Sequence, residues 1–366
     1  MKKPASIPSD TPLAGTRLRR VPGRRLTAAL LIGLAGGALF TALGLPLAWL
    51  LGAMFATTLA SLSGLSLEVP GWLRWPVMVV LGVLIGAAFT PDRLGNLLLW
   101  IPSAALLLLY VPTVGFACLL YLRRTAGLTP VTAYFAAAPG GLSQMVLMAE
   151  DSGADVRTVA LVHSVRVLLI VSAAPFLVTL AGNGGAIPGG AGARPVDWSE
   201  LALLGLTGAA GAWIAARLRL PAAAFFGSLL ASAAVHLSGF AQGSVPGPLL
   251  AAAQLALGAS VGSRFGGMRA ATVGRYILAG CGLTLLMFAV TFVFAALAHL
   301  LTGLSFVALA LAYVPGGVTE MGLVALALGV DPAFVATHHL VRILIVVTLV
   351  PLLLPLWRRT GRDRSE

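Results

Sequence analysis

The sequence predicts an all-α polytopic membrane protein made of two copies of one unit, the second copy inverted. Of the 366 residues, 58% are hydrophobic and 10% are charged, whereas soluble domains carry about 25% charged residues. Apolar runs of about 18 or more residues, typical of transmembrane helices, recur along the chain. The motif at residues 138–145 returns at residues 314–321, 176 positions later. Hydropathy thus predicts the membrane, and the offset predicts the duplication.

Each repeat contains six apolar segments, and both ends of the chain are basic. The predicted order is a basic cytoplasmic tail (1–25), the first repeat (26–181), a Gly/Pro-rich linker (182–198), the second repeat (199–357) and a basic cytoplasmic C-terminus (358–366). The segments are 26–44, 46–62, 75–90, 97–122, 131–149 and 155–181, then 199–216, 221–238, 248–263, 275–299, 305–325 and 331–357. The first run is too long for a signal-peptide core, so we interpret it as a spanning helix.

The distribution of Lys and Arg predicts the orientation of the two repeats. If all six segments of each repeat crossed, seven of these residues would lie outside and fifteen inside. If the Pro-Gly-Gly segment instead enters and leaves on one face, twenty lie inside and two outside. Because cytoplasmic loops are enriched in Lys and Arg, the second arrangement is favoured. It predicts about ten full crossings, two re-entrant segments, an inverted second repeat and both termini in the cytoplasm of a bacterial inner membrane.

The re-entrant segments are predicted to be broken helices. Pro139, Gly140 and Gly141 interrupt the first, and Pro315, Gly316 and Gly317 interrupt the second. Proline removes a backbone donor and clashes with the preceding turn, and glycine weakens what remains. Broken backbone at membrane depth is tolerated only when it is packed in protein or lines an aqueous cavity. Inverted repeats with discontinuous helices are typical of secondary transporters.

Arg166 and Arg342 are the first candidate binding residues. Each lies eleven residues into a long apolar helix, roughly 16 Å deep at 1.5 Å per residue. A buried guanidinium keeps its charge and requires a partner or a task. Two interpretations stay open: an ion pair that locks the bundle, with Glu320 as the carboxylate, or an anion site that grips a substrate carboxylate between the two arginines.

Polar residues near these arginines complete the candidate substrate-binding set. His163 and His339 each precede an arginine by three positions, on the same helix face, and could relay protons or serve as packing residues. Hydroxyl, amide and carboxyl groups beside a broken helix can coordinate an ion or substrate. Glu320 is the candidate coupling carboxylate. The other three residues after the Pro-Gly-Gly motifs are Ser143, Gln144 and Thr319.

Other binding classes find little support in the sequence. The net charge of +12 arises mostly from loops and tails that control topology, so we expect no direct nucleic-acid binding. Cys118 and Cys281 lie in apolar segments and predict neither a disulfide nor a metal site, and we expect no cofactor. Glycines four apart predict close helix packing, more often internal than in a homodimer. The remaining partners are the lipid bilayer and a small, anionic solute.

The doubled Pro-Gly-Gly motifs and the His-x-x-Arg pairs at 163/166 and 339/342 resemble a known family over residues 26–357. This is the family of duplicated AbrB-type bacterial membrane proteins, which share only a name with the soluble DNA-binding AbrB regulators. The resemblance implies the labels ammonia monooxygenase and regulator of gene expression. A copper monooxygenase needs clustered histidines, and the five here are scattered. A transcription factor needs a DNA-reading module, and the sequence contains no such motif.

The sequence therefore favours a secondary transporter of a small anionic solute rather than an enzyme. A membrane-bound regulator that affects gene expression indirectly is the alternative, and a membrane monooxygenase is a distant third.

Overall fold

The computed structural model describes residues 23–91, 95, 97–180, 197–266 and 270–362. Most of the predicted tail (1–25), most of the linker (182–198) and the last four residues of the chain lie outside the described residues. The described part of the chain is helical, with fourteen α-helices and no strands.

The helices follow one another in the same order in both halves. The first half contains α1 (Gly23–Ala42), α2 (Ala48–Leu62), α3 (Gly71–Gly86), α4 (Leu97–Thr125), α5 (Pro130–Ala137), α6 (Leu142–Asp151) and α7 (Val156–Leu180). The second contains α8 (Trp198–Arg217), α9 (Ala223–Leu237), α10 (Gly247–Gly262), α11 (Ala270–Thr302), α12 (Phe306–Tyr313), α13 (Val318–Ala327) and α14 (Pro332–Arg362). A single 3₁₀ turn, Ser263–Phe265, follows α10.

Six helices are long and apolar enough to cross a membrane, which is consistent with a helical membrane protein. They comprise Gly23–Ala42, Leu97–Thr125, Val156–Phe176, Trp198–Arg217, Ile277–Thr302 and Pro332–Pro355. The other four segments expected to cross form α2, α3, α9 and α10, which have 15 or 16 residues each. At 1.5 Å per residue these helices are about 22–24 Å long, shorter than the hydrocarbon core of about 30 Å.

Side-chain caps explain where several helices begin. The Thr129 hydroxyl accepts the Thr132 N–H at the start of α5, and Ser305 has the same role at α12. At the start of α8 the Asp197 carboxylate accepts hydrogen bonds from the hydroxyl and N–H of Ser199. These bonds hold the pKa of Asp197 below its usual value. Such caps satisfy N–H groups that have no partner within the helix.

One prediction about the acidic residues between α6 and α7 is wrong. Because Glu150, Asp151 and Asp155 lie near the start of the apolar segment 155–181 and acids favour the caps and first turns of helices, the sequence predicts that all three start helices. Asp155 does cap α7, since its Oδ1 accepts the Arg157 N–H at 3.0 Å. Glu150 and Asp151 instead end α6. Gly153 adopts a positive φ of 74° just after them, a conformation in which glycine commonly terminates a helix.

The two halves pack through reciprocal pairs of short helices. Helix α3 packs on α9, and α2 packs on α10. The contacts are backbone to backbone: a methyl group on Gly82 would collide with the Phe225 carbonyl, and one on Gly258 would collide with the Leu50 carbonyl. Small residues of this kind let helices approach closely in a membrane.

Helices α4 and α11, which occupy equivalent places in the two halves, pack against each other. Tyr110 Oη lies 2.9 Å from Thr291 Oγ1, and farther along α4 the Tyr121 ring lies against Gly282. Residue numbers rise along α4 as they fall along α11, so the two helices run antiparallel.

Candidate functional site at the two broken helices

Each Pro-Gly-Gly motif separates two short helices. Helix α5 ends at Ala137 and α6 begins at Leu142, while α12 ends at Tyr313 and α13 begins at Val318. The residues that border the breaks are extended, with ψ between 130° and 143°. Extended backbone cannot continue the helical hydrogen-bond ladder, so its carbonyl groups need other donors.

In the first repeat, carbonyl groups at the break and at the end of α5 accept hydrogen bonds from α7, the long helix that comes after α6. Arg166 Nη1 donates to the Ala138 carbonyl at 2.9 Å, and Nη2 donates to the Gly140 carbonyl at 2.8 Å. His163 Nε2 donates to the Phe135 carbonyl at 2.9 Å. Arg166 is 2% exposed and His163 is fully buried.

The second repeat has the same arrangement. Arg342 Nη1 donates to the Val314 carbonyl at 2.6 Å, and Nη2 donates to the Gly316 carbonyl at 3.0 Å. His339 Nε2 donates to the Leu311 carbonyl at 3.1 Å. The sequence separations, 28 residues for each histidine and 28 and 26 for each arginine, are identical in the two repeats. The duplication therefore extends to individual hydrogen bonds.

Neither arginine forms the ion pair that the sequence left open. In the described part of the chain, no basic side chain lies within 4.0 Å of the Glu320 carboxylate. The two guanidinium groups are close enough to interact electrostatically. Their Nε atoms are buried without a hydrogen-bond partner in the described residues. Arg166 and Arg342 therefore hold the broken backbone in place through hydrogen bonds. They also place two positive charges inside the protein.

The residues after the breaks fold back onto them. The Gln144 amide lies against Gly141, and the Glu320 carboxylate lies against Gly317. Glu320 is 7% exposed, and its Oε2 accepts a hydrogen bond of 2.6 Å from the Thr319 hydroxyl. The side chain of Ser143 lies outside the described residues. The structure thus collects the predicted residues at two related places, one at each break.

A buried polar cluster joins the two halves beside the second break. His338 Nδ1 donates to the carbonyl of Phe334, and its Nε2 lies 2.9 Å from Ser103 Oγ. The Tyr313 hydroxyl donates to the Ser103 carbonyl at 2.6 Å, and its ring stacks on Tyr110 at 5.4 Å. Sequence reasoning missed this cluster because its residues come from three separate helices and have no shared motif.

Arg264, in the 3₁₀ turn after α10, was also missed as a site residue. Its charge interacts with those of Glu320, His163 and Arg74. By its position in the sequence it is one of the twenty basic residues expected on the cytoplasmic side of the membrane. One signal was available, because the 176-residue offset pairs Arg264 with the uncharged Ala88.

The histidines and acidic residues that the structure describes do not form a metal-ligand cluster. Among the residues that the structure describes, no group of three or more His, Cys, Asp or Glu side chains is placed to hold a metal ion. His338 and His339 are adjacent in sequence but contact different partners.

Known proteins are similar to this chain over most of its length. The family model described as "Transition state regulatory protein AbrB" matches residues 49–358. A Bacillus subtilis (strain 168) protein named "Uncharacterized protein YhjN" is 30% identical over 355 residues, covering 87% of this chain and 90% of the relative. An Escherichia coli (strain K12) protein named "Putative regulator AbrB" is 29% identical over 321 residues, covering 85% and 90%. Neither name is that of an enzyme.

The family match spans both breaks, both His-x-x-Arg pairs and most of the helices described above. It confirms the resemblance expected from the doubled motifs. The chain belongs to the AbrB family, which is represented here by a helical protein of membrane character.

Proposed function

We propose that this AbrB-family protein is a secondary transporter of a small anionic solute in the bacterial inner membrane. The observation that carries the proposal is the pair of broken helices, each clamped by a buried arginine. Breaks of this kind at membrane depth are typical of the substrate sites of transporters. The proposed site comprises the two breaks, both arginines and histidines, and the residues that follow each Pro-Gly-Gly motif.

The packing of α4 on α11 supports an inverted repeat. These helices are repeat equivalents and run antiparallel. A two-fold axis that relates antiparallel equivalents is perpendicular to them, so it lies in the membrane plane if they cross the membrane. Parallel halves would require α4 and α11 to run in the same direction. We therefore propose ten crossings with two re-entrant segments, and both termini in the cytoplasm.

Anion binding is supported by the charges that the breaks place inside the protein. Helices α6 and α13 begin at the breaks, and helix N-termini carry free N–H groups and partial positive charge. Arg166 and Arg342 add two full charges. Because their Nη atoms bond to carbonyls, the arginines contribute mainly by holding the breaks and setting the local potential. Direct contacts with solute would come from the half-helix N–H groups and from Gln144 and Thr319.

A transport assay with one test variant and one control variant tests this function. The protein would be reconstituted in liposomes and screened for uptake of labelled carboxylic acids and phosphate against a proton or sodium gradient. A variant with Gly140→Val and Gly316→Val, which add side chains against Met145 and Met321 at the breaks, should lose uptake. The exposed substitution Gly205→Ala should not affect it. Uptake that survives both break substitutions would contradict the assignment.

A tag inserted between residues 188 and 195 tests the inverted topology. The inverted arrangement places this connector outside the cytoplasm, so an impermeant reagent added to intact spheroplasts should modify it. Labelling only after lysis would show that the repeats are not inverted.

The name of the Escherichia coli relative supports one alternative, a membrane-bound regulator of gene expression. Such a protein could act through its basic tail, whereas a transporter would use its membrane core. Deletion of residues 1–22 distinguishes the two, because a transporter should retain solute flux and a tail-dependent regulator should lose its effect on transcription. A monooxygenase would need bound copper or iron, which metal analysis of the purified protein would detect.

A further inference from the structure

The proposed anion site lacks a guanidinium that is free to bind solute. Arg166 and Arg342 each use both Nη atoms on the carbonyls of their own break. A solute carboxylate could displace them only by leaving two buried carbonyls without donors, which is unfavourable because unsatisfied buried acceptors lose their hydration without compensation. Another cation near the breaks would bind a carboxylate at lower cost.

Arg264 is such a cation. Its 3₁₀ turn packs on α2 and α7, anchored by Phe265, which is fully buried against Leu161 and Val165. Arg264 itself is partly exposed. Within the described residues it makes no hydrogen bond and no ion pair of 4.0 Å or less. Its guanidinium therefore has no hydrogen-bond or ion-pair partner among the described residues, and a guanidinium can bind a carboxylate through two parallel hydrogen bonds.

Glu320 belongs to another element that packs on α7. Helix α13, which carries it, packs on α7 and α3. The charges of Arg264 and Glu320 interact, yet the two groups are not within 4.0 Å of each other. The repeat offset pairs Arg264 with Ala88 and Glu320 with Gln144. This pair of opposite charges therefore belongs to the second repeat alone.

A carboxylate that lies near an arginine without pairing with it can couple the binding of an anion at the arginine to the binding of a cation at the carboxylate. An ionised Glu320 repels an anion that approaches Arg264. When a proton or a metal cation neutralises Glu320, the repulsion disappears and the field of Arg264 becomes available. The other charged or titratable groups that interact with Arg264 are Arg74 on α3 and His163 on α7. Arg74 raises the positive potential further, and His163 Nε2 donates to a carbonyl.

We propose that Arg264 binds the carboxylate of a small organic acid and that Glu320 must lose its negative charge before the acid binds. This rests on the proposed transport function and specifies the coupling at its site. One positive charge would accompany each carboxylate. By thermodynamic reciprocity, the acid would raise the affinity of Glu320 for the cation by the same factor.

The test uses the full-length protein in nanodiscs, with thermal unfolding followed against acetate, succinate and citrate at constant ionic strength. The variants are Arg264→Gln, Arg264→Lys, Glu320→Gln and the double variant Arg264→Gln/Glu320→Gln. The controls are Arg217→Gln, whose guanidinium stacks on Trp213 at 4.7 Å, and the exposed Glu150→Gln. Each variant's melting temperature without ligand shows whether it folds.

Glu320→Gln should bind at least one acid about tenfold more tightly than the wild type near neutral pH, because the substitution removes a negative charge that repels the carboxylate. Both variants that contain Arg264→Gln should lose the response, Arg264→Lys should retain part of it, and both controls should match the wild type. Lowering the pH should strengthen binding to the wild type but not to Glu320→Gln. Replacing choline by sodium at fixed pH identifies whether sodium can substitute for the proton.

Equal stabilisation of the wild type and Arg264→Gln would overturn the assignment of Arg264 and leave an anion site elsewhere in the proposed transporter. Weaker binding by a folded Glu320→Gln would overturn the coupling. If that variant does not fold, acid binding to the wild type that does not change with pH would overturn the coupling. If no acid stabilises the wild type or Glu320→Gln at any pH, the proposal of an anionic organic solute fails as well.

Discussion

Replacing Arg166 by glutamine tests whether the buried arginines hold the broken helices. The substitution removes the donors to two buried carbonyls, those of Ala138 and Gly140. Two unsatisfied buried acceptors cost about 2–6 kcal/mol. Removing a guanidinium that is 2% exposed offsets part of this, because a buried charge carries a desolvation penalty. We therefore expect the free energy of unfolding to fall by about 2–4 kcal/mol.

Arg166→Lys should have an intermediate effect. An ammonium group is a compact donor that lacks the fork geometry of guanidinium, so it can satisfy one of the two carbonyls well and should cost about 1–2 kcal/mol. Both variants can be measured by SDS-induced unfolding in mixed micelles, together with protease cleavage at residues 138–141. Arg342→Gln and Arg342→Lys should reproduce the same order, because the hydrogen bonds repeat.

The matched control is Arg157→Gln, which alters an exposed arginine in the first turn of the same helix. Surface substitutions usually change stability by less than about 0.5 kcal/mol. If Arg166→Gln unfolds as the control does and the break gains no protease sensitivity, the arginines do not clamp the backbone. Their charge would then be available for solute alone.

Three further predictions concern packing, the central polar pair and a helix cap. Gly211→Ala should destabilise the protein by about 1–3 kcal/mol, because the added methyl group collides with the α9 backbone. Gly205→Ala in the same helix meets nothing within 4 Å and should leave the stability unchanged. Equal melting temperatures of the two variants would refute the close contact between α8 and α9. Tyr110→Phe leaves the fully buried Thr291 hydroxyl without its partner and should lower the free energy of unfolding by about 1–2 kcal/mol. In a double-mutant cycle, adding Thr291→Val to the same chain should restore most of this stability. Asp197 has a lowered pKa, so the stability that it adds is present above its unfolded-state pKa and declines as the pH falls through its folded-state pKa. Asp197→Asn should flatten this decline in thermal unfolding measured from pH 6 to pH 2. An unchanged slope would contradict the role of Asp197 as a cap.

The helix breaks and the duplication were predictable because both depend on local chemistry. Proline lacks the N–H that a helix needs, and two glycines follow it in each motif. The offset of 176 also predicted which histidine and arginine correspond. It could not predict their partners, because the carbonyls that they contact lie 26 to 28 residues earlier, at the end of one short helix and in the break that follows it.

The misassigned acids show a local signal that was available but overlooked. Glycine just after an apolar helix commonly terminates it, and Gly153 follows Glu150 and Asp151 closely. Its positive φ ends α6, so the two acids lie at a C-terminus. Asp155, after the glycine, caps the next helix as expected.

By itself, the sequence determined that this chain is helical, apolar along most of its length, duplicated, and interrupted at residues 139–141 and 315–317. Composition, periodicity and backbone chemistry act over a few residues, so they can be recognised without a fold. Only the tertiary structure decided that Arg166 and Arg342 bond to backbone carbonyls rather than to Glu320, and that the charges of Arg264 and Glu320 interact. Those outcomes depend on which helices become neighbours, and hydropathy does not distinguish one apolar neighbour from another.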